Sequence, residues 1–131
     1  MTLAKFVVLL AAAFFLFYGL AFTAAPGAMS LMVTGAEPEG VSALVDFRAT
    51  YGGMTVAVGV AMFYLYSIGQ VRVCLIVVAM VLLGMAAGRS LGMLVDGPGN
   101  FLMTLYLVLE IGGAALALYA MRGLENDANG Q

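Results

Sequence analysis

The chain has 131 residues, of which 64% are hydrophobic and only 9% are charged, and its formal net charge at pH 7 is -2. A soluble domain of this length needs more charged surface, and nucleic-acid binding needs clustered lysine and arginine, so the composition excludes both classes. The mean hydropathy of +1.10 and the repeated long apolar runs predict an integral membrane protein surrounded by the lipid bilayer. Since the runs show no alternation of polar and apolar residues, we expect an all-α, antiparallel four-helix bundle and not a transmembrane barrel.

The first predicted span covers residues 6–23 and follows Lys5. A cleaved secretory signal would share this lysine and the apolar core, but the core here is longer than that of a normal signal, so we expect the helix to be retained. Pro26 and Gly27 end the helix. The apolar residues 28–33 are too few to cross a membrane, and they are expected to lie at the interface or to fold back onto the rim of the bundle.

The other predicted spans cover residues 42–68, 73–95 and 101–121, all within one transmembrane domain of residues 1–131. The second span is long for a single crossing, so its first turns are expected to project into the interface or to tilt. Glycine-containing polar turns separate these spans. The polar tail of residues 123–131 is predicted to be flexible.

The positive charges outside the predicted spans are Lys5, Arg72 and Arg122, and a four-span topology puts all three on one side. The opposite connections, residues 24–40 and 96–100, contain no lysine or arginine. The positive-inside rule therefore predicts that both termini lie in the cytoplasm, an N-in and C-in topology.

Three predicted spans also contain charged residues, namely Arg48, Arg89 and Glu110. A charge at the bilayer centre costs about 2.5–3.5 kcal/mol on insertion scales, so such groups are expected to face the bundle and to pair. At a rise of about 1.5 Å per residue, all three lie roughly 10–15 Å from the outer turns. We predict that Glu110 pairs with Arg89, with Arg48 or with both, and that Asp46 and Asp96 cap the outer rim.

Aromatic hydroxyls accompany two of these charges. Tyr51 lies three residues from Arg48 and Tyr106 lies four residues from Glu110, so each tyrosine shares a helix face with a charge. The residues predicted to form a polar core or ligand site are Arg48, Tyr51, Arg89, Asp96, Tyr106 and Glu110. One interpretation is that they only fix helix packing and register, and the other is that they form a ligand, proton or ion site.

Glycines recur along the same spans, where close backbone approach lets membrane helices gain contact. On the third span they repeat at four-residue spacing and form one stripe. The glycines predicted to pack helices are Gly52, Gly53, Gly59, Gly84, Gly88, Gly92, Gly112 and Gly113. This pattern predicts helix contact and no chemistry.

The chain has no histidine and a single cysteine, Cys74, so the usual partners for nucleophilic catalysis and the usual zinc and haem ligands are missing. Cys74 is expected to pack as an apolar side chain. Met29 and Met32 have a spacing that a soft metal could use, but in a chain with ten methionines we attribute that spacing to chance. We predict no metal site and no cofactor.

Three short motifs occur in order along the chain: DFRATYGG at 46–53, GRSLGMLVDGPG at 88–99 and LYLVLEIGG at 105–113. In these motifs the chain resembles a bacterial family of small four-span membrane proteins, the domain of unknown function 4345, loosely similar to DoxX-like proteins. The pattern falls here on Arg48, Ala49, Tyr51, Gly52, Gly53, Gly88, Arg89, Asp96, Gly97 and Glu110. The resemblance implies a four-helix fold in a bacterial inner membrane, and it lends neither an activity nor catalytic residues.

The favoured function is non-enzymatic: an accessory or structural subunit that packs in a larger membrane complex, against other subunits or against itself. Small size motivates this prediction, because 131 residues leave short loops and no soluble catalytic domain. The alternative is a binder or carrier of a small molecule, lipid, quinone or proton that uses the intramembrane arginine, glutamate and tyrosine site. A membrane oxidoreductase ranks third, since no cofactor ligand set is visible.

Overall fold

A computed structural model describes the backbone of residues 1–129 and the side chains of residues 1–124. Over these residues the chain is helical apart from short turns. The elements are α1 (Leu3–Ala24), α2 (Pro26–Thr34), α3 (Gly40–Phe47), a π-helical turn (Arg48–Gly53), α4 (Met54–Ser67), α5 (Val71–Val95) and α6 (Phe101–Asn129).

Four helical stretches are long and apolar enough to cross a membrane. They are α1, the continuous helix Gly40–Ser67 that joins α3, the π-helical turn and α4, then α5, and α6 as far as Leu124. The predicted all-helical, four-span membrane fold is therefore confirmed. The predicted flexibility of residues 123–131 stays a prediction, because α6 extends to Asn129 and the last two residues lie outside the described part of the chain.

The spans pack as two helix pairs, and α1, a member of the first pair, also contacts both helices of the second. α1 lies against α4 and the π-helical turn, and α5 lies against α6. α1 also contacts both α5 and α6, so it touches every other span. The start of α1, near Thr2 and Leu3, lies beside Arg122 and Gly123 of α6, as an antiparallel bundle with four crossings requires.

The main cluster of buried side chains lies toward the end of the bundle where α1 begins. Fully buried side chains there include Val8, Phe15, Met62, Leu75 and Cys74. The Cys74 thiol lies 3.6 Å from the carbonyl oxygen of Met62, and the side chain packs in the core as the sequence predicted. Since lipid tails are as apolar as these side chains, the contact is stabilised mainly by dispersion and close fit.

The contact between α1 and the second span depends on glycine at close approach. A Cβ added to Gly59 would lie 2.7 Å from the backbone nitrogen of Leu16, and one added to Gly52 would lie 2.9 Å from the backbone nitrogen of Thr23. These separations are shorter than van der Waals contact and involve backbone atoms, which cannot rotate away. Gly59 and Gly52 therefore let the two backbones meet.

Other predicted packing glycines behave differently within the described chain. Gly84, Gly88 and Gly112 are exposed, and no heavy atom apart from the adjacent residues and backbone of the same helix lies within 4 Å of the position that an added Cβ would occupy. The stripe on α5 therefore makes no contact with another span of this chain, contrary to the predicted packing. The rotation of α5 about its own axis explains this difference. The side of α5 that carries the buried Val78 and Ala86 faces the neighbouring helices, and the glycine stripe lies on another side.

The remaining predicted packing glycines lie closer to neighbouring atoms. An added Cβ would lie 2.8 Å from Leu82 Cδ1 at Gly113, 3.8 Å from the Arg48 carbonyl oxygen at Gly53, and 4.0 Å from Asp96 Oδ2 at Gly92. Of these three, only Gly113 sits against another helix. The Leu82 contact is made by the mobile end of a side chain, so it constrains position 113 less than backbone contact constrains Gly59.

The apolar stretch after the first span forms α2, which folds back onto the rim of the bundle. Pro26 occupies its first turn, where a missing N–H is tolerated, and Gly35 ends it with a positive φ of 84°. Ser30 and Val33 are buried. The side-chain nitrogen of Asn100 donates to the Val33 carbonyl at 2.9 Å and so attaches α2 to the start of α6.

We predict that Gly59→Ala lowers the free energy of unfolding by about 1–3 kcal/mol, because the added methyl forces α1 and α4 apart. Gly84→Ala is the matched control, since open space surrounds it and alanine is favoured over glycine in a helix by roughly 0.5–1 kcal/mol. Thermal unfolding of both variants in mild detergent, followed by circular dichroism, measures the difference. Equal stability of the two variants would contradict the close-approach interpretation.

Candidate functional site

Arg89 of α5 and Glu110 of α6 form an ion pair inside the bundle. Arg89 Nη2 lies 2.6 Å from Glu110 Oε1, and Arg89 Nε lies 3.0 Å from Oε2 and 3.2 Å from Oε1. The Glu110 side chain is 5% exposed and that of Arg89 is 17% exposed. Two parallel N–H donors on one carboxylate make the strong, geometrically specific form of this interaction.

The local sequence explains why these two side chains meet. α5 and α6 are antiparallel neighbours joined by a turn at residues 96–100, in which Gly97 has a positive φ of 107° that a residue with a side chain rarely adopts. Helical rise places Arg89 roughly 10 Å and Glu110 roughly 15 Å from this turn. The long arginine side chain covers the remaining offset. Glu110 therefore pairs with Arg89, the first of the two partners considered from the sequence.

The rest of the Arg89 guanidinium faces other side chains of α6. Its central carbon lies 5.3 Å from the centroid of the Tyr106 ring, a cation–π contact. Its Nη1 lies 3.1 Å from the sulfur of Met103, which is a weak acceptor. Met103, Tyr106 and Glu110 follow at offsets of three and four, so one face of α6 contacts the guanidinium, and Tyr106 shares that face with Glu110 as the sequence predicted.

A cavity of about 330 Å³ adjoins the ion pair, between α1, α5 and α6. Its polar lining comes from Tyr18, Thr55, Arg89, Tyr106 and Glu110. The apolar wall includes Val7, Ala11, Phe15, Val78, Leu82 and Met85. The ion pair thus forms a small polar end in an otherwise apolar cavity.

The cavity also has a lateral opening. Leu10 and Phe14 of α1 and Leu109 and Leu116 of α6 line the cavity, yet all four are exposed at the outer surface of the bundle. The exposed apolar side of a membrane-spanning helix meets lipid. A molecule dissolved in the bilayer can therefore reach the polar end of the cavity from the side.

Sequence reasoning missed the contribution of α1 and α4 to this site, made by Tyr18 and Thr55. Tyr18 lines the same cavity as Tyr106 and Arg89. A signal for Tyr18 was available, because it lies seven residues before Ala25, as Arg89 lies seven before Asp96. The same count of depth would have assigned this hydroxyl to the charged layer.

Arg48 interacts with a different part of the fold, the C-terminal end of α1. Its Nη1 donates to the carbonyl oxygens of Thr23 and, at 3.3 Å, of Ala24, the last residues of α1. Carbonyls at a helix C-terminus have no partner within the helix, and a cation there also complements the helix dipole. Arg48 therefore stabilises the end of α1 and does not join the pair formed by Glu110.

Tyr51 likewise lies outside the cavity. Its ring stacks on Phe22 at 5.4 Å and on Phe47 at 4.9 Å between centroids, and Phe22 continues to Tyr18 at 5.0 Å. This row of rings joins α1 to the second span. Tyr51 is thus connected to the site through a row of aromatic rings that reaches Tyr18 and continues to Phe14.

The two aspartates predicted at the rim are both exposed. Asp46 Oδ1 accepts a hydrogen bond from the Thr50 hydroxyl at 3.3 Å, and Asp96 is the C-cap residue that follows Val95, the last residue of α5. Neither contacts the ion pair through a hydrogen bond of the described residues. Asp96 therefore belongs to the turn between α5 and α6, and the polar core consists of Arg89, Glu110 and Tyr106 with Tyr18 and Thr55 beside them.

Among the described side chains, those of residues 1–124, no group of three histidine, cysteine or acidic residues stands close enough to hold a metal ion. The prediction that the protein uses no metal and no cofactor remains a prediction. What the arrangement offers chemically is a set of hydrogen-bond donors at the end of an apolar chamber.

Comparison with known families gives one finding. A family model described as Domain of unknown function (DUF4345) matches residues 3–121, which covers all four spans. No curated protein and no solved structure matches the chain.

We predict that Glu110→Leu lowers the free energy of unfolding by about 3–5 kcal/mol, because it leaves the Arg89 guanidinium without its counter-charge. The double variant Arg89→Leu/Glu110→Leu should recover most of this loss, since it removes both charges together. Denaturant unfolding of the two single variants and the double variant, followed by circular dichroism, gives the coupling energy. Simple addition of the two single losses would show that the side chains do not act as a pair.

Proposed function

The chain belongs to the DUF4345 family, whose description names no activity, and we propose from the site itself that the protein binds a small amphiphilic molecule within the membrane. The polar end of the ligand would lie beside Arg89 and Glu110, and its apolar part would lie against α1, α5 and α6. Binding of this kind needs no catalytic group. The proposal is thus consistent with the expectation of a non-enzymatic protein.

One observation carries the proposal: a cavity of about 330 Å³ whose wall is apolar except where the ion pair and two tyrosines converge. Small-molecule sites are typically concave, roughly 300–1,000 Å³ in volume, and mostly apolar with a few placed polar groups. A pair that only held α5 to α6 would need no open chamber beside it. The lateral opening between Leu10, Phe14 and α6 supplies a route for a molecule that is dissolved in lipid.

The volume limits the size of the ligand. A volume of about 330 Å³ lies at the lower end of the range of small-molecule sites, roughly 300–1,000 Å³. That is room for a polar group and the first part of an attached chain, and it is too little for a whole phospholipid. A longer tail would leave through the opening and remain in the bilayer.

The accessory-subunit function stays a prediction. The many exposed apolar side chains of the spans, such as Phe17, Met80 and Val108, would suit contact with another protein. They suit contact with lipid equally well, so they do not favour the subunit function over the proposed binding function.

We also propose that the protein lies in the bacterial inner membrane with both termini in the cytoplasm, on the support of Lys5, Arg72 and Arg122. These charges belong to the end of the bundle where α1 begins and α6 approaches its C-terminus, and to the α4–α5 turn. In this orientation α2 and the α5–α6 turn face away from the cytoplasm.

We predict that Ala11→Phe reduces the amount of amphiphile that co-purifies with the protein by about tenfold or more. A phenyl ring placed in the cavity competes with the ligand for space. The resulting overpacking penalty in the bound state, about 1–3 kcal/mol, corresponds to a loss of affinity of about this size. Ala115→Phe is the control, because Ala115 is exposed on α6 and does not line the cavity. The measurement is mass spectrometry of extracts from protein purified in mild detergent. Equal loads on both variants, or an empty wild-type protein, would contradict binding in this cavity.

We predict opposite labelling for cysteines placed on the two sides of the membrane. In cells with a permeabilised outer membrane, Glu37→Cys should react with a membrane-impermeant maleimide and Gln70→Cys should not. Native Cys74 is fully buried and gives the background. Labelling of Gln70→Cys alone would reverse the proposed orientation.

A further inference from the structure

We propose that the ligand is an uncharged amphiphile whose polar end carries a hydrogen-bond-accepting oxygen, such as the carbonyl of a long-chain ketone or of a quinone. This inference rests on the proposed function and names the chemical class that the same site would select. It is drawn from the charge balance of the site, from the direction of its hydrogen bonds and from the position of the opening.

The charge balance excludes a ligand with a net charge. Both carboxylate oxygens of Glu110 accept hydrogen bonds from Arg89, so the two formal charges compensate each other. An anionic ligand would add a negative charge beside an arginine that Glu110 already neutralises, and a cationic ligand would have to draw Glu110 away from Arg89. In either case one charge is left uncompensated in a low-dielectric chamber, which is strongly unfavourable.

The direction of the hydrogen bonds selects an acceptor on the ligand. The Glu110 oxygens, which are acceptors, are already used by Arg89, whereas Arg89 Nη1 faces only the weak acceptor sulfur of Met103 among the described residues. Tyr18 and Tyr106 also line the wall, and each carries a phenolic hydroxyl. The polar end of the chamber therefore offers N–H and O–H groups, and an oxygen acceptor of the ligand can receive them.

The remainder of the site selects an amphiphile. From the polar end the chamber continues between α1 and α6 over apolar side chains, and it opens where Phe14 and Leu109 reach the outer surface. A polar group held beside Arg89 would therefore direct an attached tail toward the hydrocarbon of the bilayer. A fully polar small molecule would gain nothing from this wall.

The experiment uses the full chain in lipid nanodiscs with methyl decyl ketone, isotopically labelled at the carbonyl. The binding of this ketone is measured by isotope-edited infrared spectroscopy. Hydrogen bonding in the site should shift the labelled carbonyl stretch below its position in protein-free nanodiscs. Unlabelled ketone should abolish the shifted band, and dodecane, dodecanoate and dodecylammonium should each compete about tenfold less well, which corresponds to 1.4 kcal/mol.

The donors are tested by Tyr18→Phe/Tyr106→Phe, which keeps both rings and removes both hydroxyls. We expect ketone binding to weaken about two- to tenfold, as the loss of a net hydrogen bond of about 0.5–1.5 kcal/mol implies, with a smaller carbonyl shift. Tyr119→Phe is the control, because Tyr119 is an exposed tyrosine of α6 that does not line this cavity. Equal effects of the two changes would overturn the role of the phenols as donors.

The outcomes separate failure of this inference from failure of the proposed function. Stronger competition by dodecanoate or dodecylammonium would overturn the uncharged class, and equal competition by dodecane without a carbonyl shift would overturn the need for an acceptor. In both results the cavity still binds an amphiphile, provided that Ala11→Phe abolishes the binding. Ketone uptake that does not saturate and that Ala11→Phe leaves unchanged would overturn both proposals.

Discussion

The ion pair between Arg89 and Glu110 is the constraint from which the arrangement of the second half of the chain follows. An ionised side chain within a membrane span needs a partner, and each of these two residues supplies the partner of the other across neighbouring helices. The pair sets the rotation of α5 and α6 about their axes. It also places the Tyr106 ring under the guanidinium and leaves Nη1 directed at Met103.

The first half of the chain is held by a different kind of contact. α1 meets the second span backbone to backbone at Gly59 and Gly52, and Arg48 binds the last carbonyls of α1. Because α1 packs tightly on α4, the contact of α1 with α5 and α6 beside the ion pair is looser. The cavity lies in this looser seam, which explains why a polar centre in so small a bundle has space beside it.

Several features of the site could be predicted from residue type and spacing. They follow from the free-energy cost of burying an unpaired charge and from the periodicity of the α-helix. Glu110, Arg89 and Tyr106 were predicted to lie together, since burial of charge requires pairing and offsets of four share a helix face. Arg48 is also paired, but its acceptors are backbone carbonyl oxygens at the end of α1. These carbonyls have no partner within the helix and accept its hydrogen bonds in place of a carboxylate. Tyr18 was not predicted because an uncharged phenol carries no comparable cost of burial, although its depth matches that of the charges.

By itself the sequence determined that the protein is a four-span helical membrane protein and that Glu110 needs an arginine partner on another span, Arg89 or Arg48. These properties follow from local hydropathy and from the free-energy cost of an unpaired charge in lipid, both of which act along a single helix. Only the tertiary structure decided which glycines approach another helix and where space remains. Gly59 and Gly84 look alike as glycines of an apolar helix, yet rotation and packing bring the first against Leu16 and leave the second facing outward. A cavity is likewise a property of how helices fit together, which no single span encodes.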